Sequence, residues 1–183
     1  TRPSLAAAAS DGRVLGEYKY DGIRIQIHVD GDDVRLFTRR LEEVTEQFPE
    51  VCRAVQEGVT AEVAVLDGEL VGYTPETVAT DAREPVPFQE FSRRVKRESD
   101  IAALAREVPT VVHLFDCLAV GESLLDAPLT ERLDHLAASF ETVTPDPGVP
   151  RAGLERARSA WVETDDATPG EALYREALET GHE

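Results

Sequence analysis

The segment Glu17-Tyr18-Lys19-Tyr20-Asp21-Gly22-Ile23-Arg24 holds the residue types that a covalent reaction needs. Lys19 is one of only two lysines, with Lys96, among the 19 basic residues; the rest are arginines. Either residue type can serve as a surface charge. Only lysine can serve as a nucleophile, because a guanidinium stays protonated while an ammonium sheds its proton when its surroundings disfavour charge. A chain that has nearly abandoned lysine keeps one between two tyrosines, just ahead of an Asp-Gly turn. Lys19 is therefore expected to do covalent chemistry.

The elements that position it follow from hydrophobic period and turn chemistry. A strand is expected over about Val14–Tyr20, then a tight turn at Asp21-Gly22. Ile23, Ile25, Ile27 and Val29 alternate with Arg24, Gln26, His28 and Asp30, which is a strand with one buried face. Asp30 to Asp33 turns the chain into a second strand, Val34–Thr38. This reading puts Lys19 at the end of one strand and Arg24 on the polar face of the next, both on one rim of a sheet. Pro49 opens a short helix with Val51, Ala54 and Val55 on one side and Gly58 at its end. Val63–Tyr73 reads as a strand pair or one bent strand, with Asp67-Gly68 inside it. The three prolines between Thr74 and Pro87 mark a loop. Phe88, Phe91 and Val95 repeat at helical spacing, as do Ile101, Leu104 and Ala105. Val111–Val120 is a buried strand. Thr130 is expected to cap a helix carrying Leu133, Leu136, Ala137 and Phe140. Trp161–Thr164 reads as a short strand, and Thr168-Pro169-Gly170-Glu171 as a capping box opening a last helix.

Composition sets the class. The 183 residues suit one domain, and 42% hydrophobic residues can bury a core of mostly aliphatic character, with 6% aromatics and no Met. No apolar run is long enough to span a bilayer, so a soluble cytoplasmic protein is expected. Cys52 and Cys117 form no CxxC and read as free buried thiols. The four histidines show no metal spacing. The 36 acids against 19 bases give −17, spread along the whole chain. An acidic, lysine-poor surface suits concentrated salt, where a Debye length of about 3 Å at 1 M makes self-repulsion cheap. Any phosphate contact must then come from a local arginine patch. Arg93, Arg94, Lys96 and Arg97 are one candidate for DNA phosphates; a solvated helix face is the equal alternative.

The Lys19 segment resembles the KxDGxR motif of covalent nucleotidyltransferases, and the chain as a whole is most similar to the ATP-dependent DNA ligases, the archaeal type in particular. Further segments match in the family's order. Leu36-Phe37-Thr38-Arg39-Arg40 resembles the segment that supplies an arginine to the nucleotide site. Leu66-Asp67-Gly68-Glu69-Leu70 resembles the acidic strand motif. Pro87 to Phe91, with Arg93 and Arg94, resembles the helix that follows in the DNA enzymes. Leu114-Phe115-Asp116-Cys117-Leu118 resembles the strand whose aromatic stacks on the base. Gly181-His182-Glu183 resembles the start of the EGxxxK motif.

The resemblance implies an α+β nucleotidyltransferase (ATP-grasp-like) fold, with mostly antiparallel sheets flanked by helices and a truncated C-terminus. It implies ATP and Mg2+ as cofactors and nicked double-stranded DNA as partner, acted on by a monomer. Lys19 would take AMP from ATP. Glu17 would accept from the adenine amino group. Arg24 and Arg39 would contact ribose and phosphate oxygens, Phe115 would stack on adenine, and Glu69 would hold a ribose hydroxyl or Mg2+, with Glu183 a second metal ligand. Asp67 ranks below Glu69. It implies also that residues 1–183 are most of an adenylation domain, without the OB-fold and N-terminal DNA-binding domains of the relatives. RNA ligases and RNA-capping guanylyltransferases use the same lysine chemistry; a non-catalytic nucleotide-binding module is the alternative from another class.

Overall fold

The computed structural model describes residues 12–97, 99–163 and 165–182. The strands in chain order are β1 (Arg13–Glu17), β2 (Ile23–Asp30), β3 (Asp33–Thr38), β4 (Val63–Gly72), β5 (Thr110–Val120), β6 (Glu122–Ser123), β7 (Gly153–Arg156) and β8 (Ser159–Glu163). Helices span Pro49–Gly58, Phe88–Phe91, Ile101–Glu107, Leu129–Ser139 and Thr168–Glu179. The chain divides into two compact units, Asp21–Arg156 and a unit made from the segments on either side of it. Among the described residues no helix is long and apolar enough to cross a membrane.

The larger unit is built on a sheet in the order β3-β2-β4-β5-β6, with β7 added alongside β5. Every pairing is antiparallel except β5–β7. The alternation in β2 does what its period demands: Ile25 and Ile27 are fully buried and Val29 nearly so, while Arg24 is exposed. Leu36, Leu66 and Leu114 continue that buried face on neighbouring strands. The helix Pro49–Gly58 lays Val51, Ala54 and Val55 on it, touching β3, β5 and β7. Leu133 and Leu136 of the helix Leu129–Ser139 cover β5. Each buried Val, Leu or Ile of this set contributes about 1.5–3 kcal/mol relative to exposure.

Two motif glycines are required by close approach. A Cβ on Gly68 would lie 2.8 Å from the His113 carbonyl oxygen across the β4–β5 ladder. A Cβ on Gly22 would collide with the Leu70 carbonyl oxygen, so only glycine lets the entry to β2 lie on β4.

In the smaller unit β1 pairs antiparallel with β8, from Arg13↔Glu163 to Glu17↔Ser159. The helix Thr168–Glu179 lies against both strands and buries Ala177.

Several local expectations change. β1 ends at Glu17, so Lys19 lies two residues past the strand. It does not share a sheet rim with Arg24, because β1 belongs to a two-stranded sheet and β2 to the six-stranded one; Asp21-Gly22 closes no hairpin. Val63–Gly72 is one strand, since β2 and β5 pair along its whole length. The helix expected to be capped by Thr130 begins at Leu129 behind Pro128, with no side-chain cap. The last helix includes Thr168, and Asp166 Oδ1 accepts the Thr168 N–H at 3.0 Å in place of a capping box. Thr164 lies outside the described residues.

Candidate active site

The outward face of the six-stranded sheet assembles polar residues from distant segments in rows. The ladders set Arg24 opposite Glu69, Glu69 opposite His113, and His113 opposite Glu155. One step along, Phe37, Gln26, Asp67 and Asp116 form a second row. Between the rows β5 carries an extra residue. Gly68 faces Leu114 and Asp67 faces Asp116, which leaves Phe115 unmatched. Such a bulge turns two consecutive residues toward a single partner, so Phe115 and Asp116 both reach the polar face.

Arg24 is the hub. Its Nη2 donates to Asp67 Oδ2 at 2.6 Å and its Nε to Oδ1 at 3.2 Å. Its guanidinium carbon lies 5.7 Å from the centre of the Phe115 ring. The Asp67 side chain is 4% exposed and that of Arg24 is 53%. A buried carboxylate needs such a partner, and the guanidinium has five donors, so it still faces solvent with some free. The pair also answers a like-charge problem: Asp67 lies directly opposite Asp116, an unfavourable juxtaposition. Asp116 has its own arginine, with Arg132 Nε and Nη2 donating to its two oxygens at 2.8 and 3.0 Å. Asp67, ranked below Glu69 from sequence, is thus what orients Arg24.

Burial pushes the Glu69 carboxyl up to about 7, partly opposed by the Gly22 N–H and the Arg24 charge, and reinforced by Asp67 and Asp21. Arg39 lies with Arg24 in a cleft of about 210 Å³, which Gln26, Thr38, Leu41 and Asp67 also line. The tight turn after β3 holds it there: Leu41 N–H donates to Thr38 O and Thr38 N–H to Glu42 O. Leu41 takes φ 60° in that turn and is 73% exposed, an uncommon conformation for a bulky residue.

Behind Glu69 the first row is locked. His113 Nε2 and the Tyr73 hydroxyl are 2.9 Å apart, and Glu155 Oε1 lies 3.1 Å from His113 Nδ1. The other Glu155 oxygen holds Arg83 at 2.8 Å, which ties the proline-rich loop to β5 and β7. Burial alone would raise the Glu155 carboxyl, but His113 and Arg83 outweigh it and hold it at about 2. His113 therefore has a defined structural role.

Lys19 and Glu17 belong to the smaller unit, and both are exposed. Lys19 stands on a three-residue segment held on both sides. Tyr18 N–H donates to Arg158 O at 2.9 Å, and Arg158 N–H donates to the Tyr20 hydroxyl at 3.1 Å. Tyr18 turns inward, 8% exposed. The His182 ring lies 5.7 Å from the Tyr18 ring and 4.9 Å from the Tyr20 ring. The tyrosines thus fix the backbone and leave the lysine outward. Glu183 lies outside the described residues.

The basic run 93–97 divides. Arg94, expected from sequence on either a phosphate-contacting or a solvated face, is buried instead: it pairs with Glu50 at 2.6 Å and donates to the Val108 and Gln47 carbonyls. Phe91 and Arg94, three residues apart, both point inward, a helical spacing that could have flagged it. Cys52 and Cys117 are free thiols, and burial pushes both upward, Cys52 to about 11. Among the described residues no group of three or more His, Cys, Asp or Glu is placed to hold a metal.

Comparison with known proteins gives a consistent result. A family model described as ATP dependent DNA ligase domain matches residues 4–183. A DNA ligase of Haloarcula marismortui is 41% identical over 100% of this chain and 32% of its own length. That of Natronomonas pharaonis is 43% identical over 94% of the chain and 28% of its own length, and that of Methanothrix thermoacetophila 40% identical over 98% and 29%. The chain thus spans about a third of these relatives. The structure of mycobacterial DNA ligase D complexed with ATP and MES superposes with a TM-score of 0.57 at 20% identity, over 100% of this chain and 50% of that one. This likeness shows the fold, a nucleotidyltransferase α+β fold as expected.

Proposed function

From the premise that the chain belongs to the ATP-dependent DNA ligase domain family, we propose that it is the AMP-accepting part of a longer enzyme that seals nicks in duplex DNA. The observation that carries this reading is the polar face on which Arg24, Glu69 and Phe115 meet, from three segments far apart in sequence.

Lys19 is the acceptor. Its neutral amine attacks the α-phosphorus of ATP; a P–N bond forms, the bond to the pyrophosphate oxygen breaks, and the amine proton leaves to solvent. AMP then passes to a 5′-phosphate on DNA and is displaced by a 3′-hydroxyl. In-line phosphoryl steps of this kind depend on positioning and charge neutralisation. Arg24, oriented by Asp67, and Arg39 in the shared cleft supply cations for phosphate and ribose oxygens. Phe115, raised by its bulge, offers a face for the adenine. Glu17 accepts from the adenine amino group. Glu69 accepts from a ribose hydroxyl or binds Mg2+, and Glu183 is a second metal ligand. One ionised carboxylate fits that ion, which keeps several waters and takes phosphate oxygens, so a protein cage is not required. When bound, Mg2+ neutralises phosphate charge.

The test uses the full-length protein with labelled ATP and Mg2+. It is expected to form an acid-labile, alkali-stable adduct with ATP and not with GTP, and Lys19→Ala is expected to abolish it. An adduct that persists in Lys19→Ala refutes the assignment; an adduct with GTP alone points to the capping chemistry. Residues 1–183 alone are expected not to seal nicks.

A further inference from the structure

We infer that Leu41 is a contact residue for the sugar of a sugar-phosphate group bound in the cleft shared by Arg24 and Arg39, its side chain held outward against the preference of its own backbone; the inference rests on the ligase reading above.

The turn after β3 fixes the conformation at position 41. Leu41 N–H donates to Thr38 O at 2.8 Å, Thr38 N–H donates to Glu42 O at 2.9 Å, and Phe37 bridges Glu43 antiparallel. This is a hairpin loop of residues 39–41, and in such loops the last residue takes the left-handed conformation that suits glycine. Leu41 takes it at φ 60°. Glycine or asparagine would meet the same geometry with less strain. Among the described residues the other non-glycine residue at positive φ is Asp100, a type that tolerates it. The turn therefore does not explain a leucine.

Packing does not explain it either. Leu41 is 73% exposed, more than any other large hydrophobic residue among those described. Leu125 and Val149 come near it in exposure, but neither has a positive φ and neither lines this cleft. Strain and exposed apolar surface coincide at Leu41, beside the cleft, and strained residues gather at ligand sites.

The cleft supplies the reason. At about 210 Å³ it is smaller than the roughly 300–1,000 Å³ of pockets that enclose a whole small ligand, so it receives one part of a ligand. Its walls are rich in donors. Arg24 keeps N–H groups beyond those given to Asp67, and Arg39 adds its own. Thr38 Oγ1 accepts the Arg40 N–H at 3.3 Å, which leaves its own proton to donate. The acid in the lining, Asp67, is already paired with Arg24. Such walls suit phosphate oxygens. Leu41 is the large apolar residue of the lining, and it suits the C–H edge of the sugar that carries the phosphate. Its surface then leaves water when the ligand arrives, which favours binding. A nucleotide and a DNA strand both present this chemistry.

The experiment uses the full-length protein and two variants. Leu41→Asn keeps the left-handed turn and removes the apolar contact; Leu41→Met keeps apolar bulk. One arm measures adduct formation against ATP concentration with Mg2+ and no DNA. The other measures sealing by the adenylylated protein against the concentration of nicked duplex. In at least one arm Leu41→Asn is expected to raise the half-saturating concentration about tenfold, the scale of partly burying a leucine. The rate at saturation is expected to change little, because the contact is to a part that does not react. Leu41→Met is expected to stay within about twofold of the parent. The melting temperature of Leu41→Asn is expected to match or exceed the parent's, which a structural role for the leucine would not allow. A rise in the first arm assigns the sugar to the nucleotide, and a rise in the second assigns it to the DNA strand. The inference is overturned if Leu41→Asn saturates both arms at the parent's concentrations, if Leu41→Met is impaired as much as Leu41→Asn, or if Leu41→Asn melts well below the parent. A parent that forms no adduct at all would instead count against the ligase reading, and the inference falls with it.

Discussion

Two arginines from motif segments each grip a carboxylate at 2.6 Å, and the two pairs do opposite work. Arg94–Glu50 is sealed, with both side chains 3% exposed or less. Arg24–Asp67 is half open: the acid is as buried as Glu50, but the guanidinium is 53% exposed and faces a cleft. A sealed pair turns its directionality inward, here from the Arg94 Nη atoms to Glu50 and to the Val108 and Gln47 carbonyls. A half-open pair keeps a cation aimed at something outside. On the proposed reading, Arg24 is the one available to a ligand and Arg94 the one that belongs to the framework, although both stand in arginine-bearing motifs.

The sharpest way to break the comparison is to remove one partner of each pair. Arg94→Leu strands a buried carboxylate and is expected to cost about 3–5 kcal/mol in urea unfolding, while the double variant R94M/E50L is expected to recover most of it. Arg24→Leu strands Asp67, nearly as buried as Glu50, and is expected to cost stability on the same scale, about 3–5 kcal/mol. It should in addition slow AMP transfer to Lys19 by about 10²–10³. If Arg24→Leu transferred AMP at the parent rate and Arg94→Leu were as stable as the parent, the distinction would be gone.

Next in size is the pH response of Glu69. Its folded value of about 7 lies above its unfolded value, so its stabilising contribution is complete below the unfolded value, about 4.3, and is lost as pH rises through about 7. Ligand binding runs the other way, since metal or hydroxyl contact needs the ionised form. Nucleotide affinity with Mg2+ is expected to rise between about pH 6 and 8, and Glu69→Gln is expected to flatten that rise. A parent profile as flat as the variant's would remove Glu69 from the site.

The smallest effect is expected at Glu155, behind the row. Its folded value of about 2 is depressed, so its contribution is present above the unfolded value and lost as pH falls through about 2. The parent's melting temperature should fall more steeply below about pH 4 than that of Glu155→Gln; parallel curves would contradict the lock described for His113.

Much of this was legible in the chain. The alternation over Ile23–Val29 announced β2, an inner strand of the larger sheet, and the arginine-dominated composition is what makes Lys19 the residue to test. What was not legible depends on partners. Nothing in Arg13–Glu17 says that it pairs with Ser159–Glu163, more than a hundred residues on, rather than with its neighbour, so Lys19 and Arg24 were wrongly given one rim. The short β7 has no alternation of its own and exists because β5 offers an edge. The bulge that raises Phe115 arises from register between two strands, which neither sequence states alone. Arg94 sat in a run of charges, and period three, not charge, decides which of them turns inward. The acids Asp67 and Asp116 looked like turn and motif residues until the ladder set them face to face.

The central claim is that Lys19 is the residue that takes up AMP. Residues 1–183 hold only two lysines, Lys19 and Lys96, so the test is read on two peptides: incubate the full-length protein with ATP and Mg2+, digest it under alkaline conditions, and locate the AMP by mass spectrometry of the peptides. The account predicts AMP on the peptide carrying Lys19 and none on that carrying Lys96; AMP on Lys96, or on neither, would contradict it.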